Sequence, residues 1–214
     1  MTGGPTHEPL DPVRFLGNYS SGRMGFALAE ALAEAGATVT LVTGPSAFET
    51  HDGRITVQRV QQAAAMQKAC AAVFPGADGA VLAAAVADFR PKHQQEQKIK
   101  KQDQETFYLE LEPTPDILAQ LGTMKQAGQV LVGFSLETEK ATEHARAKLR
   151  NKNLDLIVLN KLSQEQANFG ETALSVTLID RHEDEVTYEA QPKAQVAKYI
   201  TAYLQQMPAS LYKG

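Results

Sequence analysis

The hydrophobic and polar positions along the chain follow two kinds of spacing, one typical of helices and one typical of strands. Apolar residues recur every three or four positions in five stretches, a spacing typical of amphipathic helices. Shorter β-branched or alternating apolar runs separate them, as expected for strands. The predicted helices span residues 24–35, 63–74, 115–121, 138–150 and 193–206, the third with Pro115 in its first turn. The predicted strands span residues 38–43, 55–60, 80–86, 106–112, 130–134, 154–159, 174–179 and 186–188.

This order of elements predicts the fold class. Strands that alternate with helices of 10–15 residues indicate an α/β protein with a mostly parallel, three-layer sheet. The last two strands are separated only by a short polar turn, so we expect them to form an antiparallel hairpin at one edge. In such sheets ligands bind beyond the carboxyl ends of the strands.

One segment follows neither period. Residues 92–104 contain a single aliphatic residue, Ile99, among lysines and glutamines. Without apolar side chains to anchor it, this segment is predicted to be a mobile flap, covering about residues 90–105. The 214 residues are otherwise expected to form one domain over residues 1–214.

The beginning of the chain does not fit a simple α/β pattern. Residues 1–12 are rich in turn formers, and Thr2, Gly3 and Gly4 resemble a loop that follows a strand, yet only Met1 precedes them. A first strand is normally central in such a sheet. We therefore expect residues 2–4 to border an open gap or a strand from another segment.

The segment RFLGNYSSGRMG, residues 14–25, precedes the first predicted helix. The start of a helix offers free N–H groups and the positive end of its dipole, so it binds anions readily. Ser20, Ser21 and Gly22 are therefore candidate phosphate ligands, with Arg14 and Arg23 as flanking cations. The alternative is a capped surface helix that follows a glycine-rich turn.

Composition excludes several classes of function. A net charge of −4 gives no overall attraction to nucleic acid or to an anionic membrane. The sequence shows neither an apolar run long enough to cross a bilayer nor the apolar core of a signal peptide, so a cytoplasmic location is expected. The single cysteine, Cys70, lies in a predicted helix and is expected to be a buried apolar residue.

Known nucleotide motifs fit the chain poorly. The loop has the form S-x-G-x-x-G, and the next strand ends in Thr43-Gly44-Pro45 without the carboxylate that holds the ribose of NAD. The Gly-Lys-Ser/Thr pattern of a P-loop does not occur, and the five histidines are scattered rather than spaced as zinc ligands.

Six blocks together resemble one family. They are TGGPTHEPLDPVRFLGNYSSGRMG, AAAVADFRP, KIKK, PTPDIL, VGFSLET and KLRNKNLDLIVLN. Their order is similar to that of phosphopantothenate–cysteine ligases, which in bacteria also form one half of a bifunctional coenzyme A biosynthesis protein. The resemblance implies a Rossmann-like fold and a homodimer. It also implies that 4′-phosphopantothenate and L-cysteine are joined with CTP and Mg²⁺ through an acyl-cytidylate.

The resemblance also implies site residues. Asn18 matches the asparagine associated with the acyl-cytidylate, and Lys98 matches the first lysine of the family's flap, with Lys100 as a rival. The matched nucleotide-site positions, besides Ser20, Ser21 and Gly22, are Ala84, Asp88, Lys98, Thr114, Pro115, Asp116, Ile117, Phe134, Lys148 and Lys152. No position is implied for the metal.

Structural roles compete with these assignments. Asp88 would otherwise cap a turn, Phe134 would belong to the core, and Lys148 and Lys152 would form a solvated helix face. The family sequence GFAAET is replaced by GFSLET at residues 133–138. Because these 214 residues include no decarboxylase half, we do not expect them to have decarboxylase activity. Two other classes stay open: an NAD(P)-dependent reductase and a nucleotide sensor without catalysis.

Overall fold

The structure, a computed structural model, describes residues 1–101, 106–137, 140–161 and 173–207. Five helices lie in this part of the chain: α1 (Arg23–Glu34), α2 (Ala63–Val73), α3 (Ile117–Met124), α4 (Ala141–Asn151) and α5 (Lys193–Gln206). The same residues form twelve strands: β1 (Thr2–Gly3), β2 (His7–Pro9), β3 (Phe15–Gly17), β4 (Val39–Thr43), β5 (Ile55–Arg59), β6 (Gly79–Leu82), β7 (Phe89–Pro91), β8 (Leu111–Pro113), β9 (Val130–Glu137), β10 (Leu156–Lys161), β11 (Leu174–Asp180) and β12 (Glu185–Gln191).

Eight of the described strands form one sheet, in the order β12-β11-β10-β9-β6-β1-β4-β5. The six strands from β10 to β5 pair in parallel, whereas β11 pairs antiparallel with both β10 and β12. The predicted mostly parallel sheet with an antiparallel edge hairpin is therefore confirmed. Two further hairpins, β2-β3 and β7-β8, lie outside this sheet.

Helices cover both faces of the sheet, as the three-layer prediction requires. Ile157 and Leu159 of β10 pack with residues of α2, α3 and α4, whereas Leu156 and Val158 pack with residues of α1 and α5. All four side chains are fully buried. A strand buried on both faces has an uninterrupted apolar sequence, which is why this run was recognisable. No helix among the described residues has the length and apolar character needed to cross a membrane.

Residues 2 and 3 occupy the central position of the sheet. Thr2 pairs with Val42 of β4 and with Leu82 of β6, so the expectation that these residues form only a loop was wrong. The expected gap is also present. A cavity of about 640 Å³ lies beside Met1 and is lined by the amino-terminal parts of β4 and β6, including Thr40 and Gly79.

Several predicted boundaries needed correction. Of the strand predicted over 106–112, only its end is a strand, as part of β8, because its exposed aromatic side chains find no packing partner. The helix predicted from Pro115 begins after Asp116, which caps it, so Pro115 is not in the first turn. The strand predicted over 80–86 ends at Leu82, although the following residues keep backbone bonds to residues 4–6. The start of the helix predicted over 138–150 and residues 102–104 of the predicted flap fall outside the described residues.

A contact between two glycines sets the distance between α1 and the sheet. A Cβ added to Gly25 would lie 2.6 Å from the Cα of Gly3, a separation that two carbon atoms cannot adopt without displacement. The backbone of β1 and the first turn of α1 are therefore in direct contact. Because Gly25 lies in the first turn, this contact places the amino-terminal end of α1 against the carboxyl end of the central strand.

We predict that Gly25→Ala destabilises the protein by about 1–3 kcal/mol, because the added methyl group meets backbone rather than a flexible side chain. The free energy of unfolding from urea denaturation measures this effect. Gly53→Ala is the matched control, since a Cβ at Gly53 meets no atom within 4 Å and should change stability by less than about 0.5 kcal/mol. Equal stability of the two variants would show that the helix can move away from the strand.

Candidate functional site

A cleft of about 790 Å³ opens at the carboxyl ends of the central strands. It lies beyond β6 and beside β9, where ligands bind in α/β sheets of this kind. Nine of the residues predicted for the site line it: Asn18, Ala84, Asp88, Thr114, Pro115, Asp116, Ile117, Phe134 and Lys152. Five predicted residues, all within the described chain, do not belong to its lining: Ser20, Ser21, Gly22, Lys98 and Lys148.

Small side chains form one wall of the cleft. Residues 83–87 after β6 read Ala-Ala-Ala-Val-Ala, and their backbone is held by the chain's first residues. The hydroxyl of Thr2 accepts the N–H of Ala84 at 3.2 Å, and the hydroxyl of Thr6 accepts the N–H of Ala87 at 2.9 Å. These bonds fix the wall, while the small side chains leave space beside it.

Asn18 reaches this wall from the opposite side. Its side-chain amide donates to the carbonyl of Val86 at 2.8 Å. Asn18 follows directly after β3, so the β2-β3 hairpin carries it to the cleft. The bond to Val86 orients the amide, and its oxygen is not used in this bond. An oriented, uncharged amide at a cleft wall is suited to hydrogen-bond a carbonyl or phosphoryl group.

The segment before α3 closes a second wall. Thr114 donates two hydrogen bonds here: its hydroxyl donates to the carbonyl of Ala87 at 2.5 Å, and its N–H donates to the carbonyl of Asp88 at 2.9 Å. Asp116 caps α3 by accepting the N–H of Ala119 at 2.9 Å. The segment is thereby attached to the small-residue wall at one end and to a helix at the other.

Lys152 pairs with Asp116 across the cleft, with 2.7 Å between Nζ and Oδ2. Partial burial acts to raise the pKa of the Asp116 carboxyl, but the hydrogen bond from Lys152 and the N–H of Ala119 outweigh it and lower that pKa. Lys152 is therefore an ammonium group held at the cleft by a carboxylate. An incoming phosphate would compete with Asp116 for it.

Phe134 belongs to the core and also lines the cleft. It is half-buried, packs against the core shared with α1 and α5, and lines the cleft. Lys148 lies just behind it: its Nζ donates to the hydroxyl of the next residue, Ser135, at 2.9 Å. Lys148 thus lies beside the cleft rather than in its lining.

The two serines make local bonds in the turn before α1. The hydroxyl of Ser20 accepts the N–H of Gly22 at 3.3 Å, and that of Ser21 accepts the N–H of Arg23 at 3.4 Å. Gly22 is the N-cap of α1, so no side chain caps this helix; its φ is 83°, and a Cβ there would lie 2.7 Å from the hydroxyl of Ser46. Glycine is therefore required at this turn, and the role of the loop as a phosphate site stays a prediction.

The two flanking arginines have partners of their own in the structure. Arg14 pairs with Asp11 and donates to the carbonyl of Ile99, while the guanidinium of Arg23 lies 5.3 Å from the centre of the Phe48 ring. Lys98 is exposed on the segment that contains Ile99. Mobility of that segment stays a prediction.

Sequence reasoning missed the residues that support the cleft. The hydroxyls of Thr2 and Thr6 bind backbone N–H groups, and the carboxylate of Asp11 binds both backbone N–H groups and the guanidinium of Arg14. No periodic pattern reveals such contacts. The burial of these polar residues is the feature that marks them as supporting residues, but their burial is known only from the structure. Cys70, by contrast, is buried as expected, and burial raises the pKa of its thiol to about 11.

The described residues contain no group of three or more histidine, cysteine, aspartate or glutamate side chains placed to hold a metal ion. Mg²⁺ in nucleotide-dependent enzymes needs only one or two carboxylates, because substrate phosphates supply other ligands. Asp88 is the exposed carboxylate of the cleft that is not engaged as a helix cap. A single exposed carboxylate in the cleft fits a metal ion that is bound mainly by the phosphates of a nucleotide, rather than one coordinated only by protein side chains.

The fold and the cleft define a class: a Rossmann-like α/β domain with a ligand cleft at the carboxyl edge of its sheet. A family model described as "DNA/pantothenate metabolism flavoprotein C-terminal domain" matches residues 1–207. The chain belongs to this family.

Similar proteins agree with this membership. The chain is 45% identical over 188 residues to the coenzyme A biosynthesis bifunctional protein CoaBC of Bacillus subtilis, covering 87% of this chain and 46% of that protein. It is 48% identical over 200 residues to a cysteine/cysteine sulfinic acid decarboxylase of an unknown prokaryotic organism, covering 94% of this chain and 55% of that protein. The chain therefore spans about half the length of these relatives.

A solved structure matches the fold over almost its full length. The crystal structure of the C-terminal domain of a coenzyme A biosynthesis bifunctional protein CoaBC aligns with a TM-score of 0.80 and 36% identity. The alignment covers 96% of this chain and 92% of that one.

We predict that the Asp116–Lys152 pair contributes to stability only where Asp116 is charged. Asp116→Asn keeps an oxygen to cap α3 but removes the ion pair, so we expect a loss of about 0.5 kcal/mol near neutral pH. Because the folded-state pKa of Asp116 is lowered, its contribution is complete above the unfolded value of about 3.9 and disappears as pH falls through the folded value.

Urea unfolding of both proteins between pH 3 and pH 7 measures this difference. Asp116→Ala is the comparison, since it also removes the helix cap and should cost about 1 kcal/mol more. A difference between wild type and Asp116→Asn that grows as pH falls would contradict the assignment.

Proposed function

We propose that this chain is a phosphopantothenate–cysteine ligase that uses CTP. The observation that carries the proposal is the collection of nine residues, predicted from separate sequence blocks, along one cleft. Family membership and the match to CoaBC proteins support it. Coenzyme A biosynthesis is the function named for the longer CoaBC relatives, and the ligase reaction of that pathway is the one we assign to this chain.

The proposed reaction has two steps. A carboxylate oxygen of 4′-phosphopantothenate attacks the α-phosphorus of CTP, and pyrophosphate leaves with the bonding electron pair. The amine nitrogen of L-cysteine then attacks the carbonyl carbon of the acyl-cytidylate, CMP leaves, and the amine releases a proton. Both steps concentrate negative charge on phosphoryl and carbonyl oxygens, so positioning and electrostatic stabilisation are the main demands on the protein.

Different parts of the cleft are proposed to bind different parts of the substrates. Asn18 lies on the small-residue wall, where its amide would hydrogen-bond the activated carbonyl without adding charge. The segment of residues 114–117 and Phe134 form the walls proposed to hold cytidine, with Ala84 leaving room for it. Ser20, Ser21 and Gly22 at the start of α1 are proposed to contact phosphate through backbone N–H groups.

Lysines supply the positive charge in this proposal. Lys152 is already at the cleft, and its bond to Asp116 would give way to a triphosphate oxygen. Lys148 lies behind Phe134. Lys98 would approach from its surface segment. Mg²⁺, bound mainly through the triphosphate, would add Lewis-acid charge stabilisation. Asp88, which also lines the cleft, is proposed to hold the cytidine together with residues 114–117.

We further propose a homodimer that acts in the cytoplasm. Support comes from apolar side chains exposed on the cleft-side hairpins and the residues after them: Phe15, Phe89 and Tyr19, of which Tyr19 is 81% exposed. Exposed aromatic groups in one region are typical of contact surfaces between proteins.

We predict that the purified chain releases pyrophosphate from CTP in the presence of 4′-phosphopantothenate and forms CMP only when cysteine is added. A coupled pyrophosphate assay with each of the four nucleotides, together with chromatography of CMP, measures both steps. Equal release without phosphopantothenate would contradict a ligase. Binding of NADPH in preference to CTP would favour the reductase, and CTP binding without pyrophosphate would favour a sensor.

A second prediction concerns Asn18→Asp. The new carboxylate places an oxygen against the carbonyl of Val86 and negative charge where the reaction accumulates it, so turnover should fall by roughly 10²–10³. Asn153→Asp is the control, because its amide also donates to a carbonyl, that of Gly122 at 3.1 Å, but it does not line the cleft.

Both variants should remain folded and lose similar stability, since each loses one amide-to-carbonyl bond. Steady-state kinetics and thermal unfolding of the two proteins make the comparison. Turnover equal to that of wild type in Asn18→Asp would show that Asn18 has no role in the reaction.

A further inference from the structure

A buried carboxylate organises the turn between β2 and β3. Asp11 is only 2% exposed. One of its oxygens, Oδ1, accepts the N–H groups of Val13 and Arg14, each at 2.8 Å. These two bonds close the turn, and they leave the second oxygen available for other partners.

The second oxygen connects the turn to a distant segment. Oδ2 of Asp11 accepts Nε of Arg14 at 3.0 Å, is paired with Nη2 of the same guanidinium, and accepts the N–H of Ile99 at 3.1 Å. Nη2 of Arg14 also donates to the carbonyl of Ile99 at 2.8 Å. The ion pair therefore binds both the N–H and the C=O of one residue that is 85 positions away along the chain.

A backbone bond reinforces this attachment. The N–H of Gln95 donates to the carbonyl of Leu10 at 2.9 Å. Residues 92–101, the described part of the lysine-rich segment, contain neither helix nor strand. At its start the segment is held by Lys92, whose N–H donates to the carbonyl of Glu110 at 3.0 Å and whose ammonium pairs with the Glu110 carboxylate. Beyond Lys92, the contacts given above attach it to the turn at residues 10–14, and those at Ile99 involve the charged pair of Asp11 and Arg14.

Ile99 lies between the two candidate lysines of the segment, Lys98 and Lys100. The turn that holds Ile99 belongs to the same hairpin that carries Asn18 to the cleft. The β2-β3 hairpin therefore positions both the lysines beside Ile99 and the amide of Asn18.

We propose that Asp11, through its ion pair with Arg14, is a positioning residue that fixes the lysine-bearing segment relative to the cleft. Asp11 acts on the reaction through Lys98 and touches no reacting atom. The kinetic part of this proposal rests on the proposed ligase function, whereas the attachment of Ile99 can be tested without it.

Asp11→Asn separates the two tasks of the carboxylate. An asparagine keeps Oδ1 to accept the N–H groups of Val13 and Arg14, so the turn should persist. Its amide nitrogen would face the N–H of Ile99 and the guanidinium of Arg14, donor against donor, so the attachment at Ile99 should be lost.

The matched control is Asp52→Asn. Asp52 makes the same kind of local pair with Arg54, accepting its N–H and Nε, both at 2.9 Å, and Nη2 at 2.6 Å. The paired guanidinium lowers the pKa of Asp52 to about 2 and holds the pKa of Asp11 well below its usual range. Both wild-type carboxylates are therefore charged at the pH of a trypsin assay.

Limited trypsin digestion reads the attachment directly, because the segment contains cleavage sites after Lys98, Lys100 and Lys101. Fragment masses identify the cuts. We expect cleavage at these sites to be about tenfold faster in Asp11→Asn than in wild type, and unchanged in Asp52→Asn. Arg14→Lys should show an intermediate rate, since one ammonium group cannot reproduce the fork of a guanidinium. That variant also keeps Asp11, which tests the proposal if Asp11→Asn does not fold.

Kinetics then distinguish positioning from a structural role. We assign Lys98 mainly to the second step, where it would stabilise the charge on the departing CMP, so Lys98→Gln should slow amide formation more than pyrophosphate release. Asp11→Asn should slow amide formation, measured from pre-formed acyl-cytidylate, about as much as Lys98→Gln, while pyrophosphate release changes little. Unchanged cleavage at the three lysines would overturn the proposal. Faster cleavage with unchanged amide formation would overturn the positioning role.

Failure of the ligase function is distinguishable from failure of this proposal. If wild type forms no acyl-cytidylate, the ligase function is wrong. Trypsin cleavage in Asp11→Asn then still decides whether the ion pair holds the segment.

Discussion

The contact between Gly3 and Gly25 is the constraint on which the arrangement of this domain depends. Two side-chain-free residues allow the central strand and the first turn of α1 to touch through their backbones. Because the strand is so short, the residues after it turn at once toward the cleft, where Thr2 and Thr6 hold the alanine-rich wall. The close approach thus determines both the position of a helix start and the path of the segment that builds the site.

The site is supported mainly by backbone contacts rather than by packing. Asn18, Thr114 and the wall after β6 are joined through carbonyls and N–H groups of residues 84–88. Because backbone groups make these contacts, the walls can be held in place by residues with small side chains, and the cleft stays open. Burial of apolar surface, in contrast, is concentrated in the two cores on the faces of the sheet.

Elements with strong apolar periodicity could be predicted, and those held by isolated hydrogen bonds could not. The run Leu156–Leu159 was recognisable because both of its faces are buried. The β2-β3 hairpin has strands of three residues, too short for a period, and its position depends on bonds to distant residues such as Gln61. Pro115 was misplaced because the Asp116 cap begins the helix later than a first-turn proline requires. Nine residues from separate sequence blocks line one cleft, whereas Lys98, Lys148 and the loop at residues 20–22 lie outside its lining, and the roles of all of them stay predictions.

The two outer strands of the sheet have a consequence for self-association. β12 presents Glu185 and Glu189 on its exposed surface, and Arg59 of β5 binds the carbonyls of Ser46 and Phe48 in the adjacent loop. Charged side chains on an outermost strand oppose strand-to-strand addition of another chain. Edge-to-edge extension of the sheet by a second copy is therefore disfavoured. The growth of fibrils, which needs the same pairing of strand edges, is disfavoured by the same residues.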